Sequence, residues 1–170
     1  MLRHVHAALL AGGLLTGTAA AAFAEVSDAD RQFIEQAVMG GHAEVSDGET
    51  AAKSENAAVA AFGRQMVTDH TQMNDELATI AKGLGVTPPD SASMTQQAKG
   101  MATGVLLYAT FDRTYVDQQL SGHKETLGLL QNQATNGGNP ELKAFAEKYI
   151  PVVEQHIAEL ERLQQQLGQG

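Results

Sequence analysis

The sequence contains no cysteine and no tryptophan, only four prolines, and just 5% aromatic residues. The lack of cysteine excludes disulfides, thiolate metal sites and thiol nucleophiles together. So few aromatics, set against abundant Ala, Gln, Glu and Leu, argue against an all-β sandwich and for helices. Positive charge is scarce as well: 11 basic side chains face 20 acidic ones, a formal net charge of −9. A general nucleic-acid binder needs a basic face, so no nucleic-acid partner is expected. What remains is a chain of 170 residues, enough for one domain with a real core.

Residues 1–24 have the layout of a secretory signal. Arg3 supplies a positive start, Ala7 to Leu15 a short apolar run, and Ala22-Phe23-Ala24 a small-x-small cleavage pattern before Glu25. The apolar part falls short of the ~20 residues that span a bilayer. No later stretch is more apolar, so the expected mature domain, residues 25–170, is periplasmic and has no transmembrane segment. Cleavage removes Arg3 and no acid, which takes the net charge from −9 to −10. In an oxidising compartment without cysteines, stability comes from packing, or from packing plus a metal.

Beyond residue 25 the apolar positions recur at helical spacing. Ser27 or Asp28 can cap a first helix carrying Phe33, Ile34, Val38, Gly41 and Gly48. Ser54 or Asn56 can cap a second, with the stripe Val59, Phe62, Met66, Met73, Leu77, which ends at Gly85 before Pro88-Pro89. A third stretch runs from about Ser93 to Ala134 and holds Phe111, Tyr115, Leu120, Leu127 and Leu130. The turn Asn136-Gly137-Gly138-Asn139 leads into Pro140, which suits a helix start. The last helix carries Leu142, Phe145, Tyr149, Val152, Leu160 and Leu163, with Pro151 expected to kink it. Short connections between such helices predict an all-α, antiparallel up-down-up-down four-helix bundle.

Three histidines occupy inward positions. His70 continues the stripe of Met66 and Met73, His123 lies between Leu120 and Leu127, and His156 lies between Val152 and Leu160. An unpaired polar group there is expensive. With the turns near residues 54 and 137 at one end of the bundle, the three levels agree within roughly 8 Å. Glu44 is the best-placed carboxylate, about a turn too high. His42 points away from the apolar stripe and reads as a boundary residue. His70, His123, His156 and Glu44 are therefore the candidate ligands for one transition metal ion, zinc, copper or iron. Met66 and Met73 would favour copper if a thioether turned inward. The competing reading makes the histidines ordinary core residues satisfied by Gln119, Tyr115 or backbone groups, and the methionines core fillers.

Other chemistries find less support. A carboxylate-bridged diiron bundle uses Glu-x-x-His pairs, whereas Val67, Leu120 and Val153 precede the inward histidines by three. No Gly-x-Ser-x-Gly or phosphate-binding glycine loop is present. Asp69 and His70 are neighbours in sequence but point to different helix faces, so they form no dyad. Asp112, far from His123 along the axis, is expected to pair with Arg31 or Arg162.

Several strings acting together suggest a family. They are Phe62-Gly63-Arg64-Gln65-Met66-Val67-Thr68-Asp69-His70, Phe111-Asp112-Arg113-Thr114-Tyr115 with His123, and Asn136-Gly137-Gly138-Asn139-Pro140-Glu141-Leu142 with His156. Combined with Ala43-Glu44-Val45 and Gly48, their order resembles a bacterial family of exported proteins of unknown function. Its members are often labelled outer-membrane or membrane proteins and look like part of the ferritin-like superfamily. The resemblance spans about residues 27–163. It implies a ferritin-like bundle with histidines at positions 70, 123 and 156 and an acid at 44, but little about chemistry. Three functions stay open: a metal-binding bundle serving metal handling or stress tolerance, a cofactor-free envelope stress or interaction protein, and a metal-dependent redox enzyme.

Overall fold

The computed structural model describes residues 26–89 and 108–168. Among them are four helices: α1 (Asp28–Ala51), α2 (Ala57–Gly83), α3 (Tyr108–Asn136) and α4 (Pro140–Gly168). The signal segment expected over residues 1–24 lies outside the described residues, as does the first part of the expected third helix.

The helix starts follow from local chemistry. Ser27 Oγ accepts from the Asp30 N–H at 3.1 Å, and Asn56 Oδ1 accepts from the Ala58 and Val59 N–H groups. Asn139 Oδ1 does the same for Glu141 and Leu142, with Pro140 in the first helical position, where a missing N–H costs nothing. Gly85, at φ +70°, provides the left-handed residue that closes α2. The helix α4 continues through the exposed Pro151. Its buried line runs Tyr149, Val153, His156, Leu160, Leu163, so Val153 rather than Val152 faces inward.

The all-α four-helix bundle is as expected, but its connectivity differs from up-down-up-down. At one end, the buried Asp30 at the start of α1 accepts from Gln133 Nε2 at 2.8 Å and from the Gly138 N–H at 3.2 Å, in the α3–α4 turn. At the other end, Ser54 in the α1–α2 turn donates to Asp112 Oδ1 at 2.6 Å, near the start of α3. The two turns therefore lie at opposite ends. The helix α1 packs against α2 and α3, and α4 against α3 and α2, each pair antiparallel. Helices α2 and α3 are diagonal and run parallel, so α2 finishes at the end opposite to where α3 begins.

Neither ion pair expected for Asp112 forms, and its carboxylate accepts from Ser54 instead. Arg31 sits at the far end of the bundle, and Arg162 pairs with Glu159 on its own helix. Burial pushes the Asp30 carboxyl up, yet hydrogen bonds from Gln133, Ser27 and the turn backbone outweigh this and hold it below the usual range.

Two apolar clusters fill the bundle. One gathers Phe33, Ile34, Leu77, Leu130, Leu142 and Phe145 near the α3–α4 turn. The other gathers Val59, Phe62, Phe111, Val116, Leu160 and Leu163 near the α1–α2 turn. Between them, at mid-height, lies a layer of buried polar side chains.

Candidate metal centre

Each histidine is delivered to this layer by its helix. His70 lies midway along α2, with Met66 one turn before and Met73 one turn after on the same buried face. Both methionines belong to the flanking apolar clusters. His123 follows Gln119 by one turn on α3, and His156 follows Val153 on α4. On α1 the spacing Gly41, Glu44, Gly48 turns Glu44 toward the same layer, because both glycines are buried.

The three rings form a nearly equilateral triangle, with centroid separations of 5.5 Å (His70–His123), 5.6 Å (His70–His156) and 5.4 Å (His123–His156). All three residues are at most 3% exposed. One ring nitrogen from each lies within 4.8 Å of the other two. A tetrahedral site with bonds of about 2.0–2.1 Å needs nitrogen separations of roughly 3.4 Å.

The hydrogen bonds divide the ring nitrogens into two kinds. His123 Nδ1 lies 2.9 Å from the Gln119 carbonyl, and His156 Nε2 lies 2.9 Å from Asp69 Oδ2. In contrast, His70 Nε2, His123 Nε2 and His156 Nδ1 are buried and have no hydrogen-bond partner. Carbonyl or carboxylate contacts on one nitrogen, leaving the other free, are how ligating imidazoles are oriented in metal sites. Burial, with the charges of His123 and His156 adding to it, holds His70 well below the usual imidazole range. Burial also brings His123 down to about 4, against an opposing hydrogen bond to the Gln119 carbonyl. His156 is lowered by burial too, although Asp69 pulls the other way. All three rings are therefore neutral near pH 7, the state that offers lone pairs.

Asp69 is the residue that sequence reasoning set aside. It cannot serve its neighbour His70, but about a quarter-turn around α2 it reaches His156 on the adjacent helix. The adjacency rule excluded a dyad within one helix and said nothing of contacts across helices.

Glu44 lies beside the triangle and outside the set of converging nitrogens. Its Oε1 is 3.9 Å from His123 Nδ1, the nitrogen turned to the Gln119 carbonyl, and its Oε2 is buried without a partner. Burial pushes Glu44 up to about 7, against a hydrogen bond from the Gln119 side chain. Asp47, one turn along α1, is pushed up to about 6 by burial and then by the Glu44 charge. The Tyr115 hydroxyl, raised by burial and by these two carboxylates, and Gln119 Oε1 are likewise buried and unpartnered. Of the two residues expected to satisfy the histidines, Gln119 reaches His123 through its backbone carbonyl, whereas the Tyr115 hydroxyl hydrogen-bonds to none of them. His42 is half-buried on α1 and is not in the cluster.

The helices around this layer are not equally close. A groove of about 430 Å³ runs between α1 and α3, with Glu44 in its wall. A small cavity of about 40 Å³ lies further in and is lined by both Glu44 and His70.

Over residues 15–163 the sequence matches the family described as a domain of unknown function, DUF4142. The chain belongs to this family. Its fold is shared more widely. A DUF305 fragment from Deinococcus radiodurans is similar at a TM-score of 0.74 and 12% identity, covering 86% of this chain and all of that one. A conserved hypothetical protein from Mycobacterium tuberculosis is similar at a TM-score of 0.64 and 15% identity, covering 80% of this chain and 90% of that one. At such identities the likeness concerns the fold alone. No curated protein matches the chain. The DUF4142 assignment therefore supports a helical family of unknown function, and the chemistry rests on the site itself. Among the described residues, no helix is long and apolar enough to cross a membrane.

Proposed function

We propose that this DUF4142 chain is an exported bundle that binds one transition metal ion through His70, His123 and His156, in the service of metal handling. The carrying observation is that three buried histidines each bring a ring nitrogen within 4.8 Å of the other two, and that each also keeps a buried ring nitrogen without a hydrogen-bond partner. An unsatisfied buried polar group costs roughly 1–3 kcal/mol. Three such groups in one cluster are an expensive way to build a core and an inexpensive way to prepare a site. Neutral imidazoles suit zinc, copper or iron. Glu44 is the carboxylate beside them, available as a further oxygen ligand from α1. Export is supported by Arg3, the Ala7–Leu15 run and Ala22-Phe23-Ala24.

The test is metal analysis of protein purified without a histidine tag, with thermal unfolding in the presence of zinc, copper or iron. One ion per chain is expected. Stability should rise by about 4 kcal/mol when free metal reaches a thousand times the dissociation constant. His123→Ala should abolish both effects. Wild-type protein that takes up no metal and unfolds at an unchanged temperature would leave a cofactor-free bundle.

A further inference from the structure

A buried site needs an approach, and the two seams between the hairpins differ in what they offer. On the α2/α4 seam, Asp69 meets His156 at 2.9 Å, and Glu76 Oε2 accepts from Lys148 Nζ at 2.5 Å and the Tyr149 hydroxyl at 2.7 Å. Those contacts stitch it closed. On the α1/α3 seam lies the groove of about 430 Å³. That volume is within the range of small-ligand pockets, and it exceeds the ~180 Å³ of six waters at bulk density.

Among the residues that line both the groove and the inner cavity, Glu44 is the one with a charged side chain. Glu44 lines the groove and also the inner cavity that reaches His70, and its Oε1 stands 3.9 Å from His123. Its other oxygen is buried and unpartnered, as are Tyr115 Oη and Gln119 Oε1 nearby. The charged residues lining the groove, Glu44 and Glu125, are both acidic. Such a cleft concentrates cations and repels anions. From these observations we propose that the α1/α3 groove is the entry path for a hydrated divalent cation, and that Glu44 is the carboxylate that hands it to the three histidines. This rests on the metal-binding reading above and adds its route and the charge class of its cargo.

Gly122 allows the path to be blocked without altering any of the three histidines. A Cβ there would meet only Glu44 Oε1, at 3.7 Å, so a larger side chain can grow into the groove. Leucine is also the better helix former, so Gly122→Leu favours a folded α3. Stopped-flow mixing of the purified chain with cobalt(II), followed by visible absorption, reads the loading rate, and the end point reads occupancy. Gly122→Leu should load markedly more slowly to the same final occupancy. Glu44→Gln should load about tenfold more slowly, the low end of the effect of a charged cleft on association. Wild-type rates in both variants would overturn the groove as the route while leaving the metal site intact. Wild-type protein that takes up no cobalt would overturn the metal site and the route together. Circular dichroism verifies that each variant is folded, and if Gly122→Leu is not, Glu44→Gln alone decides.

Discussion

Gly63 and Gly122 both face α1, and an added side chain would meet opposite surroundings at the two positions. At Gly63 a Cβ would lie 2.6 Å from the Ala52 nitrogen and 2.7 Å from the Gly48 carbonyl oxygen. At Gly122 the nearest atom would be a carboxylate oxygen 3.7 Å away. The helix α1 is therefore pressed backbone to backbone against its hairpin partner α2 and stands off from α3. The difference shows where the bundle keeps its free space. A tight hairpin fixes α1, and the opening left on its other side falls level with the histidines. Glu44 keeps 14% of its side chain exposed beside that opening, although its Oε2 stays buried and unpartnered.

Gly63→Ala is the substitution that most directly breaks this contrast. Backbone atoms cannot rotate aside as a side chain can, so the hairpin must spread. Stability should fall by more than about 3 kcal/mol, the upper part of the range for overpacking, as measured by urea denaturation. A loss of only a few tenths of a kcal/mol would mean that the hairpin yields as readily as the open seam.

Glu44→Gln sharpens the other side of the comparison. Burial raises Glu44 from 4.5 to about 7 in the folded chain. Between those values the folded state holds a proton that the unfolded state releases, so this stabilising contribution is full below pH 4.5 and is lost as pH rises through 7. Glutamine stays neutral throughout. In metal-free protein the variant should match wild type near pH 4 and gain on it progressively, reaching about 3 kcal/mol at pH 8. Denaturation curves across this range check it, and a difference independent of pH would place the Glu44 carboxyl in free contact with water.

The smallest effect is expected at Gly122→Ala. The new methyl group meets no atom closer than ordinary contact, and alanine is the better helix residue by roughly 0.5–1 kcal/mol. The melting temperature should rise slightly. A drop comparable to that of Gly63→Ala would show that α3 approaches α1 more closely than the groove allows.

The helices themselves were legible because each signal is local. Ser27, Asn56 and Pro140 mark helix starts through their own hydrogen-bonding chemistry, and Gly85 marks an end through its φ. His70, His123 and His156 stood out because they interrupt apolar stripes. The order of the helices in space was not legible, since caps and stripes are unchanged when a helix is reversed. His70 lies midway along α2, so its level comes out the same from either end, and the wrong topology still gave three histidines at one height. Glu44 lies off-centre on α1. Pairing the wrong ends therefore raised it by about a turn, when it belongs level with His123. Asp69 was missed because its partner, His156, lies on another helix.

By itself, then, the sequence determined four amphipathic helices without disulfides, an excess of acidic over basic side chains, and imidazoles on buried faces. Those follow from residue types and their spacing along one helix. The tertiary structure alone decided which helices are neighbours, which ring nitrogen of each histidine is left unpaired, and that the open seam runs past Glu44. Those properties belong to pairs of helices, and they depend on how closely two backbones approach rather than on the pattern within either one.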